Sequence, residues 1–229
     1  MERNIEVELK FQVLDESQIK DFLKNLKFVG EKRIVDIYLD TKNGDLFKKG
    51  IFLRIRDNKK LDFKFNLADF QNQDSISRHE HSDEFSFSLP LSKDSIEKIN
   101  NILRILKLKE ITSPSLEELK TKNRLIDSMI IDKIRKIFYD GKFEYSLDEI
   151  KDLGKFIEIE FLAQEKDDLD RIKDEMRKKL EGLKLELITT GYCEVYWRKH
   201  DFNLYLQGRY LFQEDYEKYG LKGSKAKNG

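Results

Sequence analysis

One cysteine and three histidines in 229 residues are too few for a disulfide framework or a multi-ligand zinc site. Net charge is equally lacking: 44 Lys and Arg are cancelled by 44 Asp and Glu, so no global field draws in nucleic acid, a membrane surface or an acidic partner. A polyanion, if bound, has to meet local charge. No apolar run approaches the ~20 residues of a membrane span, and the opening Met1-Glu2-Arg3-Asn4 is unlike the apolar stretch of a signal peptide. A cytoplasmic location is the expectation.

What is present is a chain long enough to bury a core without staples. Its charged fraction of 38% would suit disorder, but 39% hydrophobic residues, among them 16 Phe and 9 Tyr, can order a core. Period-two alternation recurs from segment to segment. Ile5-Val7-Leu9-Phe11 interleaves with Glu6-Glu8-Lys10, Ile51-Leu53-Ile55 with Arg54 and Arg56, and Leu61-Phe63-Phe65 with Asp62 and Lys64. The same holds for Phe85-Phe87-Leu89, Phe143-Tyr145-Leu147 and Ile157-Ile159-Phe161. These read as half-buried antiparallel strands. Helical periodicity covers Asp15 to Leu26, Lys93 to Leu108, Ser115 to Ile126 and Gln164 to Leu183, each with one apolar stripe. Residues 201–219 read as a last helical segment packed on the body, and 220–229, rich in Lys and Gly, as a disordered tail.

A strand with one charged face ordinarily turns that face to water. Here the apolar strand faces are the only large partner for the helix stripes, which places the helices outside. If the sheet curls into a barrel, the charged faces line its interior. So many charges are tolerable there only if they pair or hold a highly charged ligand. The inward positions are Lys10, Arg54, Arg56, Lys64, Arg78, Lys133 and Arg135, with Glu6, Glu8, Glu80, Asp148, Glu158 and Glu160. Arg and Lys suit phosphate oxygens, and carboxylates at i and i+2 supply the all-oxygen ligation that Mg²⁺ or Mn²⁺ prefers. The pattern describes a metal-phosphate site.

Glu6-Val7-Glu8-Leu9-Lys10 resembles the ExExK signature of the triphosphate tunnel metalloenzymes, also called the CYTH family, whose members include class IV adenylyl cyclases and thiamine triphosphatases. Further matches follow in order. Tyr38-Leu39-Asp40-Thr41 with Lys49-Gly50-Ile51-Phe52-Leu53-Arg54-Ile55-Arg56 resembles the family's Y-x-D-T turn and L-R-x-R strand. Phe63-Lys64-Phe65 is similar to its lysine strand, Arg78-His79-Glu80 to its R-x-E element and Lys133-Ile134-Arg135 to its second basic strand. Ser146-Leu147-Asp148 and Leu153-Gly154-Lys155-Phe156-Ile157-Glu158-Ile159-Glu160 resemble its most specific block. The resemblance spans roughly residues 4–196. Ser82 stands where many members carry a second carboxylate, with Glu84 the nearest substitute, and Thr189-Thr190-Gly191-Tyr192 lacks the usual basic residue.

The resemblance implies an α+β fold, a closed eight-stranded antiparallel barrel with helices packed outside, over residues 1–200. It implies a metal-dependent triphosphatase acting on inorganic, nucleoside or thiamine triphosphate. The alternatives are a class IV adenylyl cyclase, or a polyphosphate-binding module without turnover. Glu6, Glu8, Lys10 and Glu80 are the expected catalytic residues, and Lys10, Arg54, Arg56, Lys64, Arg78, Lys133 and Arg135 the substrate ligands. Glu6, Glu8, Asp148, Glu158 and Glu160 are the expected ligands of Mg²⁺ or Mn²⁺. The expected partner is a small triphosphate, with no nucleic acid or membrane, and the chain is expected to be a monomer or homodimer. His79 and His81 are expected to point away from the site and Cys193 to be a small buried hydrophobe, while Tyr38 and Trp197 are core aromatics that could stack on a base.

Overall fold

The computed structural model describes residues 4–71, 83–164 and 167–221, with backbone alone for residues 4–6, 68 and 71. It divides into two compact units, Met1–Ile34 with Asp132–Ile188 and Val35–Ile131 with Thr189–Gly229. Two long strands, β2 (Lys27–Asp40) and β6 (Ile126–Tyr139), contribute residues to both.

The first unit is built on β1 (Asn4–Val13), β7 (Glu144–Ile150), β8 (Gly154–Gln164) and β9 (Leu185–Ile188). Alternation decides its faces. Val7 and Leu9 of β1, Tyr145 of β7 and Ile157 and Ile159 of β8 are buried together with Ile19 and Leu23 of α1 (Glu16–Leu23). Ile172 and Met176 of α5 (Leu169–Lys179) complete that layer. Asp15 starts α1 by accepting the Ser17 N–H at 3.0 Å, and Asp168 starts α5 by accepting that of Arg171 at 3.1 Å, as N-caps do. The turn into β8 places Gly154 at φ +113°, a conformation closed to side chains with a Cβ, which explains the glycine in the Leu153-Gly154 motif.

The second unit holds β3 (Phe52–Arg56), β4 (Lys60–Phe65), β5 (Asp83–Ser88) and the helices α2 (Leu67–Gln71), α3 (Ile96–Ile105) and α4 (Leu116–Asn123). Leu61, Phe63 and Phe65, all 0% exposed, pack with Ile99, Leu103 and Leu119. Burying each such side chain contributes roughly 1.5–3 kcal/mol. Asp57 and Asn58, both at positive φ, form the left-handed turn that lets β3 and β4 pair as a hairpin. Asp40 of the Y-x-D-T motif is structural: it accepts the N–H groups of Thr41, Leu46 and Phe47 at 2.6, 2.8 and 2.9 Å. Gly50, at φ +71°, lies under Tyr210, whose ring a Cβ would approach to 2.7 Å.

The helix of Tyr192–His200, α6, follows a segment the sequence reading left without an element. Residues 201–219 form two short helices rather than one, α7 (Phe202–Tyr205) and α8 (Gln213–Lys218). The Tyr205 hydroxyl joins them, donating to buried Asp215 at 2.6 Å.

The ladder order is β5-β4-β3-β2-β6-β7-β8-β1-β9, antiparallel throughout the registered pairs. The expectation of a closed eight-stranded barrel is therefore corrected. Among the described residues there are nine strands in that order, and no ladder joins β5 to β9. Closure requires every strand to have two neighbours. Four-residue β9 pairs with Lys10–Val13 of β1 alone, and β5 with β4 alone. Among the described residues no helix is long and apolar enough to cross a membrane.

Candidate functional site

Each unit turns one sheet face to its helices and leaves the other charged. In the first unit the register sets Glu8 opposite Glu160, Lys10 opposite Glu158, Ser146 opposite Glu158, Glu144 opposite Glu160 and Arg135 opposite Asp148. Directly opposed residues share a face. The charges segregated by alternation along each strand therefore form one network. Asp148, 0% exposed, accepts the Arg135 Nε at 2.7 Å on one oxygen, and the Arg135 Nη2 at 2.6 Å and Lys133 Nζ at 2.5 Å on the other. Arg135 Nη2 also donates to Glu158, and its Nη1 lies 3.7 Å from Glu160. The Lys10 ammonium sits between Glu8 at 2.9 Å and Glu158 at 3.1 Å.

Burial and these contacts shift the pKa values of the two lysines in opposite directions. Burial alone would lower Lys10, but the carboxylates of Glu158 and Glu8 outweigh it and leave its pKa raised. For Lys133 burial prevails over Glu158 and Asp148, and its pKa is lowered. Glu8, Glu144, Asp148, Glu158 and Glu160, with Glu186 opposite Gln12 of β1, stand against Lys10, Lys133 and Arg135 on this face, so carboxylates outnumber cations by three. The donors are all oxygen, which suits Mg²⁺ or Mn²⁺. An ammonium already rests between two of the carboxylates. Among the described residues no three of them converge closely enough to hold an ion; Glu8, Asp148, Glu158 and Glu160 are drawn to a lysine or arginine instead.

In the second unit Arg54 lies opposite Tyr38 and Asp62, Arg56 opposite Asp36 and Lys60, and Lys64 opposite Glu84. Arg56 donates from Nε and Nη2 to the two oxygens of Asp36 at 2.7 and 2.8 Å. Arg54 donates from Nε to Asp62 at 2.9 Å and from Nη2 to Glu84 at 3.0 Å. Ser86 also donates to Asp62. Both arginines are raised in pKa, since the surrounding carboxylates outweigh the opposing effect of burial. Burial holds the Tyr38 hydroxyl well above the ordinary range, so it stays protonated. Arg54, Arg56, Lys60 and Lys64 stand against Asp36, Asp62 and Glu84, so cations outnumber carboxylates by one.

The structure thus brings Glu8, Lys10, Lys133, Arg135, Asp148, Glu158 and Glu160 into one network. It places Arg54 and Arg56 in another, with Lys64 on the same face. Of Glu6 the backbone alone is described, while Arg78, His79, Glu80, His81 and Ser82 lie outside the described residues. Cys193 is buried. Sequence patterning places Asp62 beside Lys64 on the polar face but assigns neither it nor Asp36 to the site, although both hold the arginines. Their signal was the same alternation: each lies two residues before Tyr38 or Lys64 on one strand face.

The CYTH domain profile matches residues 4–192, and the chain belongs to the CYTH family. A Methanocaldococcus jannaschii protein bearing the provisional name adenylate cyclase is 26% identical over 196 residues, covering 83% of this chain and 98% of that one. A Pyrococcus horikoshii protein of known structure has a TM-score of 0.55 at 22% identity, over 85% of this chain and 99% of its own. A Hippeastrum candidate adenylyl cyclase, for which a dominant triphosphatase activity is described, has a TM-score of 0.54 at 17% identity, over 86% of this chain and 96% of its own. These structural likenesses concern the α+β fold.

Proposed function

We propose that the protein is a divalent-metal-dependent hydrolase of triphosphate compounds. The observation that carries this reading is the first unit's charged face, where Lys10, Lys133 and Arg135 are held among more carboxylates than they neutralise. Phosphoryl transfer needs positioning and charge neutralisation more than a covalent nucleophile; such a face would supply both with a divalent cation in its acidic surplus. Glu8, Glu158 and Glu160, with Glu6 from the same strand, are the residues that would hold Mg²⁺ or Mn²⁺. A bound ion of this kind neutralises phosphate oxygens and lowers the pKa of water.

The chain's own residues do the rest. In the first unit Lys10, Lys133 and Arg135 are the proposed donors to phosphate oxygens; the second unit, taken by itself, offers Arg54, Arg56 and Lys64 for the same chemistry. Arg54 and Arg56 present planar forks that match two oxygens at once. Asp148, Asp36 and Asp62 position these cations: Asp148 and Asp36 accept from an arginine on both oxygens, and Asp62 accepts from Arg54 on one and from Ser86 on the other. Arg78 and Glu80 complete the proposed set as a phosphate ligand and a catalytic carboxylate.

A second reading, a class IV adenylyl cyclase, draws on the provisional name of the Methanocaldococcus relative. It uses the same charged groups but lets a ribose hydroxyl attack the α-phosphorus. One screen separates the two: purified protein with tripolyphosphate, ATP, GTP or thiamine triphosphate, with Mg²⁺ or Mn²⁺, reading both phosphate and cyclic nucleotide. The expected result is metal-dependent phosphate release. Cyclic AMP with pyrophosphate selects the second reading, and neither product leaves a binding module.

A further inference from the structure

The carboxylates on Arg54 are not equivalent. Asp62, whose side chain is 1% exposed, takes the Nε edge of the guanidinium at 2.9 Å, and Asp36, 5% exposed, lies 3.9 Å from Nη1. Glu84 takes Nη2 at 3.0 Å with a single oxygen, and its side chain is 40% exposed. The first two are held by burial, and removing Asp62 would leave Arg54, itself 11% exposed, without its nearest counter-charge, which is costly. The third is a half-exposed pair: water competes for the Glu84 carboxylate although Arg54 itself is largely buried, so this is the contact on Arg54 that costs least to break. Nη2 is also a guanidinium edge that a phosphate oxygen can use. Among the described residues Glu84 is the exposed carboxylate on Arg54, so a solvent-borne anion reaches Nη2 by displacing it.

We infer that Glu84 is a displaceable counter-ion on Arg54, occupying the position of a ligand phosphate oxygen and setting the threshold that an incoming anion must exceed. This rests on the proposed triphosphate reading and adds a determinant of selectivity to it. A single phosphate gains little by replacing one carboxylate with another charge of the same sign. A chain of phosphates that also engages Arg56 and Lys64, on the same face as Arg54, gains the additional contacts. With Glu84 gone, cations on this face exceed carboxylates by two, and weaker anions gain access.

The test is calorimetric titration of the full-length protein with sodium tripolyphosphate and with orthophosphate, in chelator, for wild type, Glu84→Gln and Glu84→Ala. Arg54→Ala and the Arg54→Ala/Glu84→Gln double variant close the cycle. Both Glu84 variants should bind tripolyphosphate about two- to fivefold more tightly, the range expected for removing a half-exposed ion pair. Orthophosphate should gain at least as much. In the Arg54→Ala background the Glu84→Gln change should have no effect on affinity, because the donor that Glu84 covers is absent. Unchanged affinity in both Glu84 variants, or an equal gain with and without Arg54, overturns the inference while leaving the triphosphate reading standing. Weaker binding in both variants also overturns it and makes Glu84 a ligand in its own right. A wild-type protein that binds no tripolyphosphate even with Mg²⁺ removes the triphosphate reading, and the inference with it.

Discussion

The two units solve one problem in two ways. Both present a strand face on which charge alternates with a buried apolar row, and both place arginines there. In the first unit a single fully buried carboxylate, Asp148, holds two cations, Lys133 and Arg135. In the second each arginine has its own principal carboxylate, Asp36 for Arg56 and Asp62 for Arg54. The first face has an acidic surplus and seeks a further cation; the second has a basic surplus and seeks an anion. An ion network shared through one buried hub is rigid but vulnerable at that hub, whereas paired side chains fail one at a time.

The sharpest test of that contrast is stability. Asp148→Asn should destabilise by about 3–5 kcal/mol, because two largely buried cations lose their common counter-charge. Asp36→Asn should cost clearly less, since Arg56 is 32% exposed and water can replace the lost partner. Urea unfolding of both variants checks the order, and equal losses would break the distinction between hub and pair.

Next in size is the metal. Glu158→Gln and Glu160→Gln keep volume but remove the negative charge a divalent ion needs, so metal-dependent turnover should fall by at least about a hundredfold with the circular dichroism spectrum retained. Full activity in either variant would remove the acidic face from the chemistry. On the second face Arg54→Ala and Arg56→Ala should each weaken tripolyphosphate binding by about ten- to a hundredfold, equivalent to ~1.5–3 kcal/mol. Orthophosphate should lose much less, because only a chain of phosphates engages several cations. Equal losses for both ligands in a calorimetric titration would make these arginines structural.

The smallest effect separates two turn aspartates. Asp140, in the first unit, accepts the N–H groups of Lys142 and Phe143 at 2.9 and 2.8 Å and pairs with Lys179 at 2.9 Å. These contacts outweigh the opposing effect of its partial burial and hold its pKa down at about 2. A carboxyl depressed below its unfolded value of about 3.9 contributes stability above that value and loses it as pH falls toward its native pKa. Asp140→Asn should therefore cost on the order of 1 kcal/mol at pH 7, and the gap to wild type should shrink between about pH 4 and 2. Asp40, in the second unit, is raised by burial against its three backbone donors. Its contribution has the opposite sign, so Asp40→Asn should show no loss that disappears in acid. Thermal melts at stepped pH compare the two.

Much of this was legible in the chain. Alternation alone assigned Val7 and Leu9 to the core and Glu8 and Lys10 to the opposite face, because a strand's side-chain period is two whatever its partners. It also exposed the helical stripes of α1, α3, α4 and α5, though with ends longer than the helices formed. The long strands β2 and β6 were harder to see. Their 14 residues each pass between units and meet different partners along their length, so neither shows one uniform pattern. Asp40 looked like part of a functional motif because a turn needing three backbone acceptor contacts leaves the same polar residue that a ligand site would.

The sequence by itself determined which residues share a face and the sum of their charges, since both follow from local geometry and composition. Only the tertiary structure decided which carboxylate answers which cation. Arg54 could equally have met Glu8 or Asp148 on charge alone. Ladder register placed it beside Asp62, and β6–β7 pairing gave Asp148 to Arg135. Among the described residues, register also fixed the strand order at nine and left β9 paired on one side. Pairing joins residues as distant in sequence as Lys10 and Glu158, and no local signal encodes a contact whose partner is chosen by packing of the whole apolar face.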